Sequence, residues 1–483
     1  MQLALKESQL GLRNSTTRLP FRYGVASLIR CPQAILRVVI ECEGQARQGF
    51  SGDCLPPSWF DKSPNKGFAE QVDDMLRVIG LAQKVFADAF ARETAFFPTW
   101  LSCHEQLQQQ CVSLGLPLLL ASFGSSLVER AIVDAACRRY HVSFARAIRN
   151  NLLDIDPGLV ERDLYGTTPS DWLPAEPARS TFVRHTVGLG DALTVEDIPP
   201  GEQLSDGWPQ ALEEYVTRRR VRYFKVKVAN RLEEDLHRLR RLARVLQRHH
   251  GRDYRLTLDG NEQYKRPEDF VVFVGGIRGD GELETLWDNV LAIEQPFDRA
   301  IALTPLCTSA VRELSRSKPV IIDESDDTLD AYPRAIQAGY RGVSSKNCKG
   351  AIKSLLNAGL TWLANDRGRR HEFTMTGEDL CTVGIVPLQA DLCLAATLGL
   401  AHVERNGHHY HPGLSYLPDT ERRAALSAHG DLYTADHAII GPKITDGRFD
   451  IGSLQCPGFG FAVEPDMSLM APPEAWTFDS LGL

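Results

Sequence analysis

The sequence predicts an α/β protein: a modified TIM (β/α)8 barrel with an N-terminal α+β capping domain that the C-terminal segment completes. Three observations support this fold class. The chain has 483 residues, too many for one ordinary compact core and suited to two domains or a large barrel with an appendage. Eight short apolar runs alternate with amphipathic runs in its central part. Five charged residues recur in phase with those runs.

Composition excludes several classes of protein. Hydrophobic residues make up 43% of the chain and charged residues 24%, as in globular proteins, so a disordered or fibrous chain is excluded. The net charge of −8 disfavours a nucleic-acid partner. No apolar run is long enough to cross a bilayer, and the first residues lack the apolar region of a signal peptide. The 11 cysteines are scattered. We therefore expect a cytoplasmic protein with reduced thiols that binds neither nucleic acid nor membrane.

Residues 1–180 are predicted to form the capping domain. Runs rich in β-branched residues around a Glu-Gly turn predict an antiparallel meander, and a helical period follows. The two strands, the turn, the return strand and the helical region are predicted at 23–29, 34–42, 43–44, 45–52 and 67–153. A stretch rich in Pro, Asp and Gly at 154–180 breaks the period and predicts the domain boundary.

Residues 181–415 are predicted to form the catalytic barrel. Its eight strand-like runs read FVRHTVGLG, VRYFKVKV, YRLTLDGN, VLAIEQPF, PVIIDES, YRGVSSKN, HEFTMTGED and LAHVERNG. Helical segments separate these runs, as they must when parallel strands are joined by crossover helices. The remaining residues, 416–483, consist of short mixed runs that we expect to return to the capping domain.

Five charged residues end consecutive runs of the predicted barrel. They are Lys227, Asp259, Glu294, Asp323 and Lys346, with successive separations of 32, 35, 29 and 23 residues. A barrel of about 250 residues has about 31 residues per βα unit, so each charge falls near the C-terminal end of a successive strand. One such charge is more often a helix cap than a ligand. Five in phase instead predict an active site at that end of the barrel.

The three carboxylates of this set predict a metal ion. Asp259, Glu294 and Asp323 would repel one another if they converged without neutralisation, which implies a cation among them. Ligands that are all oxygen, without His or Cys, favour Mg²⁺, with Mn²⁺ as the alternative.

The lysines predict acid–base chemistry. Lys225 and Lys227 are two residues apart on one strand and therefore share its face, while Lys346 comes from a strand on the far side. A lysine close to a divalent cation and to another lysine is expected to have a lowered pKa. A neutral amine base near neutral pH requires such a lowered pKa.

Five motifs carry a resemblance to a known family. They are KVK at 225–227, DGN at 259–261, IEQPF at 293–297, IIDES at 321–325 and SSKNCKG at 344–350. In this order and spacing they resemble the enolase superfamily, specifically its muconate-lactonizing-enzyme-like subgroup within the mandelate racemase/muconate lactonizing enzyme family. The resemblance covers about 183–405, and 24–55 and 127–140 resemble the capping domain more loosely.

The resemblance implies roles for eight residues. The Mg²⁺ ligands would be Asp259, Glu294 and Asp323. The acid–base pair, on opposite faces of the substrate, would be Lys227 and Lys346. Residues that bind the substrate carboxylate or adjust the site would be Lys225, Asn261 and Lys349. Segment 47–57 of the cap is expected to contribute to substrate specificity.

The implied activity is removal of the α-proton of a small-molecule carboxylate. A racemase or epimerase of an amino-acid-like or hydroxy-acid carboxylate is the first expectation, because two bases on opposite faces can exchange a proton. Cycloisomerase or dehydratase/synthase (lyase) chemistry is the alternative, and a barrel that only binds is a second one. Subgroups that dehydrate acid sugars carry a His at the end of the seventh strand, whereas His371 stands at the start of this run. Homo-oligomers and the role of the GHHYH loop at 407–411 stay open.

Overall fold

The capping domain begins with a sheet of long antiparallel strands. The structure is a computed structural model that describes residues 1–24, 26–368 and 372–483, so His371 lies outside the described residues. The sheet has the order β3-β2-β1-β4. Its strands are β1 Gln2–Tyr23, β2 Ala26–Cys42, β3 Gln45–Cys54 and β4 Thr94–Ala95.

The predicted turn and return strand are confirmed, but the first two predicted strands, at 23–29 and 34–42, belong largely to the single strand β2. The sequence prediction misses β1, the strand at Gln2–Tyr23 that pairs with β2. Register shifts between Leu5 and Glu7 and between Thr16 and Phe21 interrupt the period-two pattern that would have revealed it. The turn at Glu43-Gly44 has φ values of 53° and 70°, as the tight hairpin requires.

Helices pack against this sheet as the sequence predicts. Those of the cap and of the connecting segment are α1 Phe68–Ala89, α2 Phe96–Ser113, α3 Leu118–Arg139, α4 Phe144–Arg149 and α5 Pro169–Trp172. Helix α3 is buried along its whole length from Leu119 to Arg138. It packs both on β3 and on the turn 347–349 of the barrel, so it is one of the elements that join cap and barrel.

Eight parallel strands form the closed barrel, and all eight predicted runs are confirmed. They are β5 Ser180–Val187, β6 Tyr223–Lys227, β7 Arg255–Asp259, β8 Val290–Glu294, β9 Val320–Ile322, β10 Gly342–Ser345, β11 Thr374–Gly377 and β12 His402–Arg405. Neighbours in this order pair with one another, and β12 pairs with β5 to close the ring.

Helices cover the outside of the barrel. They are α6 Leu212–Arg218, α7 Leu232–His250, α8 Pro267–Arg278, α9 Glu284–Asp288, α10 Arg299–Ala302, α11 Pro305–Leu314, α12 Ala331–Ala338, α13 Ala351–Gly368 and α14 Val386–Thr397. In the described parts of the chain, no helix is both long and apolar enough to cross a membrane.

The C-terminal segment contacts both domains. The short helix α15 Gly407–Tyr410 precedes it, and its elements are α16 Asp419–Ala428, β13 Tyr433–Asp436, β14 Ile439–Pro442 and β15 Arg448–Asp450. Strand β15 pairs antiparallel with the start of β5. Leu12 of the cap and Ala471 exchange backbone hydrogen bonds of 2.8 and 3.0 Å. The segment thus returns to the cap as expected, while the boundaries at 180 and 415 stay predictions.

Candidate active site

The register of the barrel strands brings the predicted charges to one level. Lys227 pairs with Asp259, and Asp259 pairs with Glu294, each as the last residue of its strand. Asp323 and Lys346 directly follow β9 and β10. Because the carboxyl ends of parallel strands meet at one end of a barrel, these side chains converge there.

A cavity lies between this end of the barrel and the cap. It encloses about 380 Å³, including its open mouth. Its lining residues are Phe21, Tyr23, Pro56, Trp59, Lys225, Lys227, Asn261, Lys346, Asp379, Leu380, Cys381, Glu404 and Asn406. Of the predicted specificity segment, Pro56 lines the cavity, and Trp59 follows just beyond the segment. The barrel therefore supplies charge and the cap supplies an apolar roof.

Four of the eight predicted site residues line the cavity: Lys225, Lys227, Asn261 and Lys346. The three predicted metal ligands, which are almost completely buried, hold the lysine ammonium groups by ion pairs. Lys349 is outside the lining. Its Nζ donates to the backbone and hydroxyl oxygens of Ser344, both at 2.8 Å, and lies 3.2 Å from Asp323 Oδ1. It therefore positions Asp323 rather than facing the cavity.

Lys227 is held by two acceptors. Its Nζ lies 2.5 Å from Asp259 Oδ2 and 2.7 Å from Asn261 Oδ1. Asn261 adopts a left-handed φ of 45°, and its amide Nδ2 donates to Glu324 at 2.9 Å. Since its side chain is fixed on both sides, Asn261 orients Lys227 toward the cavity from the β7 side.

Lys346 has one carboxylate partner and one aromatic partner. Its Nζ lies 2.6 Å from Asp323 Oδ2 and 4.4 Å from the centre of the Trp59 ring. Burial acts to lower the pKa of Lys346, but the charge of Asp323 outweighs it, and the pKa is raised. The expected lowering concerns a lysine beside a bound divalent cation, so it stays a prediction for Lys346. A cation bound by Asp323 would weaken the interaction that raises it.

Lys225 is surrounded by carboxylates from four strands. Its Nζ lies 2.8 Å from Glu294, 2.7 Å from Glu378, 3.0 Å from Glu404 and 3.1 Å from Asp259. Burial favours the neutral amine, yet these four charges together raise its pKa well above the usual value. An ammonium with three protons and four acceptors has none to spare, so Lys225 acts as an internal counter-ion.

Glu378 and Glu404 belong to this site although none of the five motifs includes them. Glu378 also pairs with Arg184 of β5, and Glu404 accepts a hydrogen bond of 2.8 Å from Thr186. Their only signal in the sequence is their position at the ends of the seventh and eighth barrel runs. That position alone does not distinguish them from helix caps.

The fit of a metal ion can be tested on Glu294. Its Oε2 is buried without a hydrogen-bond partner, and its pKa is raised well above the usual value by burial and by the neighbouring Asp259 and Glu378. Within the described ranges, no group of three or more His, Cys, Asp or Glu side chains is already arranged to hold a metal ion, because the lysine ammonium groups lie between these carboxylates. The donors nevertheless suit Mg²⁺, because they are all oxygen and one buried carboxylate oxygen lacks a partner.

The GHHYH loop forms buried contacts away from the cavity lining. His408 and His185 share a hydrogen bond of 3.0 Å, and His409 contacts the Tyr215 hydroxyl at 3.1 Å. Burial lowers the pKa of His409 to about 3, so its imidazole is neutral at ordinary pH. These contacts give the loop a hydrogen-bonding role within the fold.

Comparisons with known proteins define the fold. No model of a known protein family matches the chain, and no curated protein matches it. Solved structures do. A mandelate racemase/muconate lactonizing protein from Herpetosiphon aurantiacus is 15% identical, with a TM-score of 0.61 over 96% of this chain and 99% of that one. A muconate lactonizing enzyme from Pseudomonas fluorescens, complexed with muconolactone, is also 15% identical, with a TM-score of 0.59 over 95% and 97%.

A third similar structure is a dipeptide epimerase from Enterococcus faecalis, complexed with Mg and the dipeptide L-Leu-L-Tyr. It is 12% identical, with a TM-score of 0.56 over 95% of this chain and 99% of that one. The chain thus has the capped-barrel fold of these enzymes, and the resemblance seen in the motifs is confirmed at the level of the fold.

Proposed function

We propose that the protein is a Mg²⁺-dependent enzyme of the enolase superfamily, in its muconate-lactonizing-enzyme-like subgroup, that removes the α-proton of a small carboxylate. One observation carries the proposal. Lys227 and Lys346 come from the second and sixth of eight barrel strands, and both line one cavity. Two amines on opposite walls are placed to reach opposite faces of a bound substrate.

The two lysines would transfer the proton as follows. The neutral Nζ of one lysine takes the α-proton, and the electron pair of the C–H bond moves into the carboxylate as an enolate forms. The ammonium of the other lysine then donates a proton to the opposite face of the α-carbon, which inverts its configuration. Positioned acid–base groups of this kind contribute about 10²–10⁴-fold to a rate.

Asp259, Glu294 and Asp323 would hold the metal ion. A bound Mg²⁺ supplies positive charge that favours ionisation next to a carboxylate. The lysines that pair with these carboxylates remain at the site, and Lys225 keeps Glu378 and Glu404 as partners. The carboxylates are therefore arranged to exchange a lysine contact for a metal contact while the surrounding charges stay balanced.

A racemase or epimerase is the first candidate, since both lysines reach the cavity. Cycloisomerase or lyase chemistry is the second, and the unequal surroundings of the lysines favour it. Asp323 and the Trp59 ring both stabilise the ammonium form of Lys346. A lysine kept as a cation suits an electrostatic partner, with Lys227 as the single base. We retain the predicted cytoplasmic location as part of this proposal.

Deuterium exchange tests this function. The protein would be incubated in D₂O with Mg²⁺ and a panel of carboxylic acids, including amino acids, dipeptides, hydroxy acids and muconolactone, and followed by NMR. We expect deuterium at the α-carbon of at least one acid. Removal of the metal with EDTA, or the substitutions K227A and K346A together, should abolish it. Lys84→Ala, at an exposed position of α1, is the matched control.

The outcome also separates the candidates. Exchange with inversion indicates a racemase or epimerase, whereas exchange or product formation that survives K346A without inversion indicates one-base chemistry. Binding of an acid without exchange in any member of the panel would indicate a barrel that only binds. Full racemisation by either single lysine variant would contradict the two-base assignment.

A further inference from the structure

A buried carboxylate of the cap lies against the turn that carries Lys346. Glu129 is in the middle of α3, and its side chain reaches out of the capping domain to the start of barrel helix α13. Its Oε1 accepts hydrogen bonds from the backbone N–H groups of Ala351 and Ile352, at 2.7 and 3.0 Å. Its Oε2 accepts the indole N–H of Trp100, at 2.7 Å.

These contacts give hydrogen-bond acceptors to the first N–H groups of α13, which have none within the helix. The first N–H groups of a helix have no partner within it and favour a negative charge. Most helices meet this need with a side chain just before the helix. The residue before α13 is Gly350, whose φ of 115° suits glycine and which offers no side chain. The cap for this helix therefore comes from another domain, 222 residues earlier in the chain.

Lys346 lies between the end of β10 and the start of α13, so the start of α13 contributes to its position. The turn between them is short and closed by backbone hydrogen bonds, from Lys349 N–H to Lys346 O at 3.0 Å and from Gly350 N–H to Asn347 O at 2.9 Å. Because the turn has little freedom, movement of its C-terminal end would move Lys346. Lys227 has no such dependence, since it lies within β6.

We propose that Glu129 is a positioning residue for Lys346. Its carboxylate fixes the first turn of α13 and, through the turn 347–349, the height of the Lys346 ammonium in the cavity. The role of Lys346 as an acid or base rests on the proposed function, whereas the hydrogen bonds from the start of α13 to Glu129 do not depend on it. Docking of the cap therefore completes the Lys346 half of the site, in addition to roofing the cavity.

The neighbouring Trp100 makes a discriminating substitution possible. In E129Q the amide oxygen can still accept from Ala351 and Ile352, but its NH₂ group would then face the indole N–H of Trp100. Two donors would oppose each other in a buried place. The double variant W100F/E129Q removes the second donor. If the hydrogen bonds to α13 are what matters, the double variant should restore what E129Q alone loses.

Two readouts test the proposal. Amide hydrogen exchange measured by mass spectrometry should show residues 346–356 exchanging about 5- to 30-fold faster in E129A and E129Q, the effect of losing a helix cap. Residues 223–262, which carry Lys227, should be unchanged. W100F/E129Q should return to the wild-type rate. Glu105→Gln, exposed on α2, is the matched control, and W100F alone reports the cost of the smaller ring.

The second readout is α-deuteration in D₂O of an acid that the wild type exchanges. The E129Q change should slow the Lys346-dependent exchange of one enantiomer at least tenfold and leave the Lys227-dependent exchange of the other within twofold. Equal loss at both lysines, or a double variant worse than both single ones, would overturn the proposal in favour of general packing. If no acid exchanges with the wild type, the proposed function fails. The amide-exchange result still decides whether Glu129 holds the start of α13 in place.

Discussion

The two sides of the cavity hold their lysines differently. Lys227 is surrounded by barrel residues, and its partners Asp259 and Asn261 lie on the adjacent strand and in the loop that follows it. Lys346 pairs with Asp323 of the barrel, and its ammonium lies over the Trp59 ring of the cap. The first side is thus held by barrel side chains, although Lys62 of the cap donates to the backbone oxygen of Asn261 at 3.1 Å. The second side has the Trp59 ring on its ammonium, so changes at Trp59 should act mainly on the Lys346 half of the chemistry.

The largest expected effect comes from the lysines themselves. K227A and K346A should each slow proton transfer at one face of the α-carbon by about 10²–10⁴-fold, because each removes one acid–base group. Exchange of separate enantiomers in D₂O measures the two faces independently. If the two sides differ as described, the K346A variant still forms product by one-base chemistry at Lys227, whereas the K227A variant does not. Identical exchange profiles for the two variants would contradict the proposed difference between the two sides.

The next largest effect should be on the unfolding free energy, and it should differ between the two sides of the cavity. D323N leaves Lys346 buried with no carboxylate partner, and breaking a buried ion pair in this way costs about 3–5 kcal/mol of unfolding free energy. D259N should cost less, since Lys227 keeps the Asn261 oxygen and Lys225 keeps three glutamates. Urea unfolding without added metal compares them. An equal or larger loss in D259N would be contrary to this account.

Glu129 should make the unfolding free energy of the protein depend on pH. Burial, opposed by its N–H donors and Arg130, raises the pKa of Glu129 to about 7. The folded protein then keeps this proton between about pH 4.5 and 7, where the unfolded chain has lost it. Unfolding free energy from this group is therefore greatest below pH 4.5 and falls, by up to about 3 kcal/mol, as pH rises to 7. W100F/E129Q should flatten that part of the profile; an unchanged slope would argue against this origin.

The smallest effect should come from the aromatic roof. Trp59→Leu removes the ring from the Lys346 ammonium, an interaction worth about 0.5–2 kcal/mol, and so changes Lys346-dependent exchange about 2- to 30-fold. Lys227-dependent exchange should remain within twofold of the wild type. Tyr23→Phe, which keeps a ring in the cavity lining, serves as the control. Equal changes at both lysines would show that Trp59 acts on substrate binding instead.

The sequence was informative where structure repeats locally. All eight barrel strands were predictable, because each βα unit has about the same length and each strand is an apolar run. The same regularity placed Asp259, Glu294 and Asp323 at strand ends. It failed for β1, where two register shifts and a polar exposed face hide a strand of 22 residues. Local patterns therefore reveal a strand only when its register is unbroken.

The charge pairing was decided by tertiary structure. Lys225 lies 153 and 179 residues from Glu378 and Glu404 along the chain, yet it contacts both across the closed barrel. No periodicity specifies which carboxylate an ammonium will meet, because that depends on how the ring closes. The raised pKa of Lys346 follows from the same kind of contact, with Asp323 outweighing its burial.

By itself, then, the sequence determined the barrel, the order of its charged strand ends and the identity of the eight candidate residues. Only the tertiary structure decided that Lys225 is an internal counter-ion, that Lys349 lies against Asp323, and that Glu129 of the cap holds the start of α13. The physical reason is the range of the interactions. Strand and helix periods are written in neighbouring residues, whereas ion pairs and helix caps between domains exist only after the cap has packed on the barrel.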